Sequence, residues 1–263
     1  VVISQCHFHD FKSAYNPDGG TAVILSNNDE GPNTSYHWII GCTITDCENG
    51  IRDSSDQSGE TNYAIGNVLY DISNSALYEQ DSNIGNDEIV YWVNNTIHNC
   101  RYGYIRARQQ KTYTSYMEGN LFHNVTTCVF ASAGGSGVYQ DAADAQMHVS
   151  NNLMYGNASG TPTSGWASWA NNIVGDSSSE NPLLVNPNNQ DFSLASGSPA
   201  IDAIASESVA YQHFQSMYGR DIRYDYLGNY RGSTSLNIGA IEGEGGGSVA
   251  KSPPSPVTNL TAN

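Results

Sequence analysis

The sequence predicts an all-β chain wound as a parallel β-helix. Three observations carry this: a short motif recurring seven times at solenoid spacing, a turn residue at a fixed offset within each repeat, and the absence of a long apolar period of 3.6 residues. The repeats are Cys6-His7-Phe8, Cys42-Thr43-Ile44, Asn67-Val68-Leu69, Asn95-Thr96-Ile97, Asn120-Leu121-Phe122, Asn152-Leu153-Met154 and Asn172-Ile173-Val174. Their successive spacings are 36, 25, 28, 25, 32 and 20 residues, which suits coils with loop insertions better than the uniform blades of a propeller. Four residues after each first position stands Asp10, Asp46, Asp71, Asn99, Asn124, Gly156 or Asp176, which is turn chemistry. If each repeat is one coil, equivalent residues stack about 4.8 Å apart. A file of asparagine amides then donates and accepts along the axis and satisfies buried turn groups. Cys6 and Cys42 share the file position in neighbouring coils and are read as packed thiols, with a disulfide as the alternative; Cys47 and Cys100 do not fall in adjacent coils.

Within a coil the sequence marks three short strands. Val90-Tyr91-Trp92-Val93 leads through Asn94 and Asn95 into a second strand over 96–98, a turn over 99–102 and a third strand over 103–108; the order repeats over 115–132. This rhythm resembles the right-handed parallel β-helix proteins of the pectate-lyase-like group over roughly residues 1–176. The resemblance implies a right-handed coil with a substrate groove along one stacked strand, edged by the longer loops. It does not imply one activity, since a fold hosts many chemistries.

Residues 1–180 are therefore expected to form the coils, with the first coil incomplete at Val1. Residues 181–243 break the period. Their segments Asp191-Phe192-Ser193-Leu194, Ser198-Pro199-Ala200-Ile201-Asp202, Leu227-Gly228-Asn229-Tyr230-Arg231 and Ile238-Gly239-Ala240-Ile241-Glu242 resemble the closing element of secreted bacterial β-helix proteins. That implies a C-terminal cap over an otherwise unpaired end, and Asp202, Asp225 and Arg231 are read as structural. Residues 244–263 read as a Gly/Pro-rich linker followed by the start of a fibronectin type III-like domain, which Pro256-Val257-Thr258-Asn259-Leu260-Thr261 resembles. Together these features are read as a trimmed piece of a longer, secreted, cell-surface protein.

Composition narrows the function. Acidic residues outnumber basic ones by 26 to 10, a net charge of −16, which argues against nucleic acid as a partner. No apolar run approaches the ~20 residues of a transmembrane span. In so acidic a chain the cations are informative, and several fall on the predicted third strand: Arg52, then Arg106 and Arg108 with Lys111 nearby, beside Tyr78, Glu79 and Asp81. Alternation with Ile105 inside puts Arg106 and Arg108 outside. This stripe is the candidate substrate-binding face for a polysaccharide, an acidic one above all. Arg106 or Arg108 binding the carboxylate or sulfate of an acidic sugar, with Lys111 or a nearby Tyr or His taking the proton alpha to the carboxylate, is β-elimination by a polysaccharide lyase. Neutralisation comes first because the unaided alpha proton is too weakly acidic. A surface ion-pair ladder among Arg52, Glu79, Asp81 and Arg106 is the simpler alternative. Glu79 with Asp81 or Asp53 provides the carboxylate pair of a glycoside hydrolase less specifically. The rival class is non-catalytic: an adhesin or filament-forming protein with self-association or cell-surface contacts. No cofactor is required by any motif, although oxygens of Asp141, Asp144 and the segment 81–88 suit Ca²⁺. The seven histidines form no metal-binding motif, His7 and His9 being the one pair on a strand face.

Overall fold

The computed structural model describes residues 1–13, 20–26, 35–54, 59–80, 88–107, 114–131, 146–156 and 166–243. One face of the solenoid stacks Val2–Ser4, Tyr36–Ile40, Thr61–Ile65, Ile89–Val93, Thr114–Glu118, Met147–Ser150 and Ser168–Ala170, all parallel and one per coil. A second face stacks His7–His9, Thr43–Thr45, the starts of Val68–Gln80, Thr96–Ala107 and Leu121–Ala131, then Leu153–Tyr155 and Ile173–Gly175. The third face consists of Thr21–Leu25, Asn49–Asp53 and the far halves of those three long strands, which bend around the corner without a break. The chain is the expected three-faced, right-handed parallel β-helix.

Two files of left-handed residues make the corners. Between the first and second faces, Gln5, Gly41, Gly66, Asn94, Gly119, Asn151 and Asn171 have φ between 50° and 67°. Between the second and third, Asp10, Asp46, Asp71, Asn99 and Asn124 have φ of 52° to 64°, and Gly156 has 85°. Gly and Asn enter this region at least cost, which is why they recur at the corners.

The residue after each first corner carries the ladder. Asn67 Nδ2 donates to Asn95 Oδ1 at 2.9 Å, Asn95 to Asn120 at 2.9 Å, Asn120 to Asn152 at 3.0 Å and Asn152 to Asn172 at 2.9 Å. Each oxygen also accepts the backbone N–H of the preceding coil, and each Nδ2 donates to a first-face carbonyl, such as that of Ala64 or Trp92. Asn67, Asn95, Asn120 and Asn152 are fully buried. Every amide is therefore spent on corner groups that water cannot reach, and the corners stay in register.

The core lies inside the three faces, with Trp92, Met117 and Val149 from the first, Leu69, Ile97 and Phe122 from the second, and Ile51, Leu77, Tyr104 and Val129 from the third. Packing is tight at the corner: a Cβ on Gly103 would stand 2.4 Å from the Phe122 ring. The cysteines are free thiols, four of them buried and Cys6 exposed.

The closing segment lies along the flank of the coils. Its helix, α1 (Val209–Tyr218), sets Ala210, Tyr211 and Phe214 against the outer side of the first face at Trp38, Tyr63 and Tyr91. Leu194, Ala200, Ile204, Leu236 and Ile238 cover Leu121 and Leu153 on the second face. Gly239 (φ 97°) passes so close that a Cβ would stand 2.8 Å from Thr96 Oγ1, and its N–H donates to Gly119 O at 2.7 Å. Arg231 donates to the carbonyls of Asn237 and Gly239, at 3.0 and 2.9 Å, and pairs with Glu242 at 3.1 Å. Asp225 accepts from Asn229 N and Glu242 N at 2.6 and 2.8 Å. Both side chains hold the loop that carries Gly239.

Removing one rung tests the ladder. Asn120→Ala removes the side-chain bonds to Asn95 N–H, Asn95 Nδ2, Trp92 O and Asn152 Oδ1 and leaves the buried Asn95 N–H without its acceptor, so urea unfolding should show a loss of ~3 kcal/mol. Asn124→Gly, which keeps the left-handed corner on the exposed file, should cost less than about 0.5 kcal/mol. Equal losses would contradict the ladder's role.

Candidate functional site

Register on the third face decides which side chains meet solvent. Ile24, Arg52, Tyr78 and Ile105 are in line on its outer surface, whereas Leu25, Asp53, Glu79 and Arg106 are in line on its inner surface. Outside, Ile24 is 52% exposed, Arg52 and Tyr78 are partly exposed, and the Arg52 guanidinium lies 5.7 Å from the Tyr78 ring centroid. Of the sequence-predicted site, then, Arg52 and Tyr78 are brought together on an accessible surface. Asp81, Arg108 and Lys111 lie outside the described residues, as do Asp141 and Asp144.

Glu79 and Arg106 correct the sequence expectation. Both are buried, Arg106 to 1% exposure, so neither reaches a ligand on the outer face. The phase of the strand is set by Tyr104, which faces inward in line with Leu77 and Val129; two residues on, Arg106 faces inward too, and Ile105 is turned out. Glu79 Oε1 accepts Trp92 Nε1–H at 2.6 Å and Oε2 accepts the Ser115 hydroxyl at 2.8 Å. Arg106 Nη1 donates to Ser115 Oγ at 2.9 Å and stands 4.0 Å from Glu79 Oε2. Burial, and then the charge of Glu79, push the Tyr104 hydroxyl pKa far up, so this phenol stays protonated. The Glu79–Arg106 pair of the expected ion-pair ladder exists, but inside the solenoid.

The next coil outward repeats the arrangement with different partners. Asp53 Oδ1 accepts Asn62 Nδ2 at 2.9 Å, the same amide lies 3.4 Å from Glu88 Oε1, and His37 Nδ1 donates to Asn62 Oδ1 at 2.8 Å. Burial lowers the His37 pKa and the Asn62 bond raises it in part. His37, Asn62 and Ser115 belong to one inward file of the first face, which continues as Val90 and Met147 in the other coils. Sequence reasoning missed this file; its signal is a polar residue at the same offset in three repeats. The two polar files meet where each third-face strand hands over to the next coil, and they anchor that corner. Glu79 with Asp53 provides no hydrolase pair here, because both carboxylates are enclosed.

A second ordered feature is an aromatic file on the outer side of the first face. Trp38, Tyr63, Tyr91, Tyr116 and His148 stack in register with centroid separations of 3.6, 5.1, 4.7 and 4.8 Å and interplanar angles of 3° to 11°. Each ring covers the face of the next, so only edges and hydroxyls remain for a partner, and a sugar finds no open ring face within the file. A cleft of about 300 Å³ runs between this file and α1, lined by Tyr36, Thr61, Ile89, His213 and Met217, among others. On the second face His98 and His123 stack at 5.0 Å with Nδ1 atoms 2.9 Å apart. Burial lowers both pKa values, that of His123 to about 4, so the pair is neutral at physiological pH. His7 and His9 are exposed neighbours, with His9 hydrogen-bonded to Asp10 at 2.7 Å. Among the described residues no three His, Cys, Asp or Glu side chains converge as a metal site, and no helix is long and apolar enough to cross a membrane.

No protein-family model matches the chain, and neither does any curated protein or solved structure. The fold itself defines a class: the parallel β-helix solenoids, an architecture consistent with proteins that act on or bind polysaccharides.

Arg106→Ala should lower the unfolding free energy by about 3–5 kcal/mol, because it leaves the Glu79 carboxylate buried beside Ser115 without its cation. The double change Glu79→Gln with Arg106→Met should cost less than the single one. A denaturation midpoint unmoved by Arg106→Ala would return that side chain to the outer surface.

Proposed function

We propose that the protein is an extracellular polysaccharide-binding β-helix protein whose third face receives an acidic glycan. The observation that carries the reading is the outer file of that face, where the Arg52 cation lies over the Tyr78 ring between Ile24 and Ile105. A guanidinium can hold a carboxylate or sulfate bidentately, and an aromatic ring with flanking apolar side chains accepts the apolar face of a sugar. In a chain of net charge −16, a cation on this strip adds to the local attraction for an anionic chain.

Lyase chemistry of the pectate-lyase-like kind is the enzymatic form of this reading. With Arg106 enclosed, it rests on Arg108 to neutralise the uronate and Lys111 to take the alpha proton, both in the segment that follows the third-face strand. In the same reading, residues 244–263 link the solenoid to a fibronectin type III-like module of a cell-surface protein.

The test is calorimetric titration with uronate, sulfated and neutral polysaccharides, with ultraviolet absorbance of the unsaturated product followed in parallel. Arg52→Ala with Tyr78→Ala should weaken acidic-glycan binding at least about tenfold, roughly 1.4 kcal/mol, with the melting temperature unchanged. Product formation lost in Lys111→Met would establish the lyase. No binding across the panel would overturn the proposal in favour of a scaffolding solenoid.

A further inference from the structure

At the first two rungs cysteine takes the place of asparagine, and the sulfur plays part of the amide's role: Cys6 N–H points at Cys42 Sγ at 3.5 Å, as Cys42 N–H does at Asn67 Oδ1 at 2.8 Å. The coils are in register here, with His7 opposite Thr43 and Thr43 N–H donating to Cys6 O at 2.9 Å. Adjacent parallel strands lie about 4.8 Å apart, and disulfides span Cα separations of about 4.4–6.8 Å. Each thiol bonds the carbonyl two residues back, Cys6 to Ser4 O at 3.3 Å and Cys42 to Ile40 O at 3.6 Å. A turn of each side chain about χ1 gives up these weak bonds and brings the sulfurs together. Cys47 and Cys100 stand in one file with Ile72 between them, about 10 Å apart and out of reach.

We propose that Cys6 and Cys42 are a redox pair that closes to a disulfide and clips the first coil to the second. With a small disulfide such as oxidised glutathione as oxidant, the exposed Cys6 thiolate attacks one sulfur, forming a mixed disulfide and releasing one glutathione thiolate. Cys42 thiolate then attacks Cys6 Sγ and releases the second. One small disulfide is reduced to two thiols, two protein thiols are oxidised to one disulfide, and their two protons pass to the leaving thiolates. The order follows from access: Cys6 is exposed and Cys42 is buried, with burial pushing its pKa up to about 12. The second step is therefore the slow one and quickens as pH rises.

The clip acts on the coil of Val2–Ser4 and His7–His9, whose strands, among the described residues, pair with Tyr36–Ile40 and Thr43–Thr45. A bond between residues 36 apart would oppose fraying there.

The experiment treats the full chain with oxidised glutathione at mildly alkaline pH, blocks remaining thiols after unfolding, and maps peptides by mass spectrometry. A Cys6–Cys42 cross-linked peptide, lighter by two hydrogens, is expected in monomeric protein. It should vanish in Cys6→Ser and in Cys42→Ser, and after reductant, and the oxidised chain should melt several degrees higher than the reduced one. Glutathione left on Cys6 with Cys42 blocked, or a chain-to-chain bond through Cys6, would overturn the pairing; a cross-link with no rise in melting temperature would overturn the clip. Neither outcome bears on glycan binding, which uses another face.

Discussion

The structure depends on one constraint: each coil must turn a sharp corner inside the protein, and the peptide groups at that corner cannot reach water. Asparagine meets it because its side chain copies a peptide group, accepting from the coil before and donating to the coil after and to a nearby carbonyl. Left-handed Gly or Asn at the preceding position lets the chain bend there. Once these two positions recur, strand register follows, because the coils from Asn67 to Asn172 share one vertical file of amides. Everything else in the solenoid is packing hung on that file.

The same rigidity decides what the surface can do. A side chain's face is set by the coil as a whole, so Arg106 points inward with Tyr104 although the strand's own alternation allows either phase. A buried ion pair adds little net stability by itself. Its consequence here is geometric: Glu79, Arg106, Ser115 and Trp92 tie the end of the third-face strand to the first face of the following coils. Outward Tyr78 thereby rides on a strand whose end is fastened, and Arg52 sits beside Asp53, which Asn62 holds in the same way.

How much was legible in the sequence follows from how local each signal is. The ladder and its turns were readable, since Asn and its turn partner recur at a fixed offset through every insertion. The aromatic file was also within reach: Trp38, Tyr63, Tyr91, Tyr116 and His148 each stand four residues before a ladder position. Mutual stacking, rather than display to a sugar, is the physical outcome of that shared phase. The third-face phase was not legible, because Ile105 between two arginines imitates an inward apolar residue, and the deciding contacts come from Leu77 and Val129 in other coils. Nor did the expected end cap announce that it would run along the flank. That arrangement arises from outer apolar residues on two faces, Trp38 and Leu121 among them, whose burial needs a covering chain.

Side-chain amide hydrogen exchange tests the central claim most directly. With the amides of Asn67, Asn95, Asn120 and Asn152 assigned by NMR, their Nδ2 protons should exchange only through global unfolding, as slowly as the core backbone amides of Trp92 and Phe122. Exchange of these protons at the rate of exposed Asn124 would mean that no continuous ladder spans the coils, and the account would fall with it.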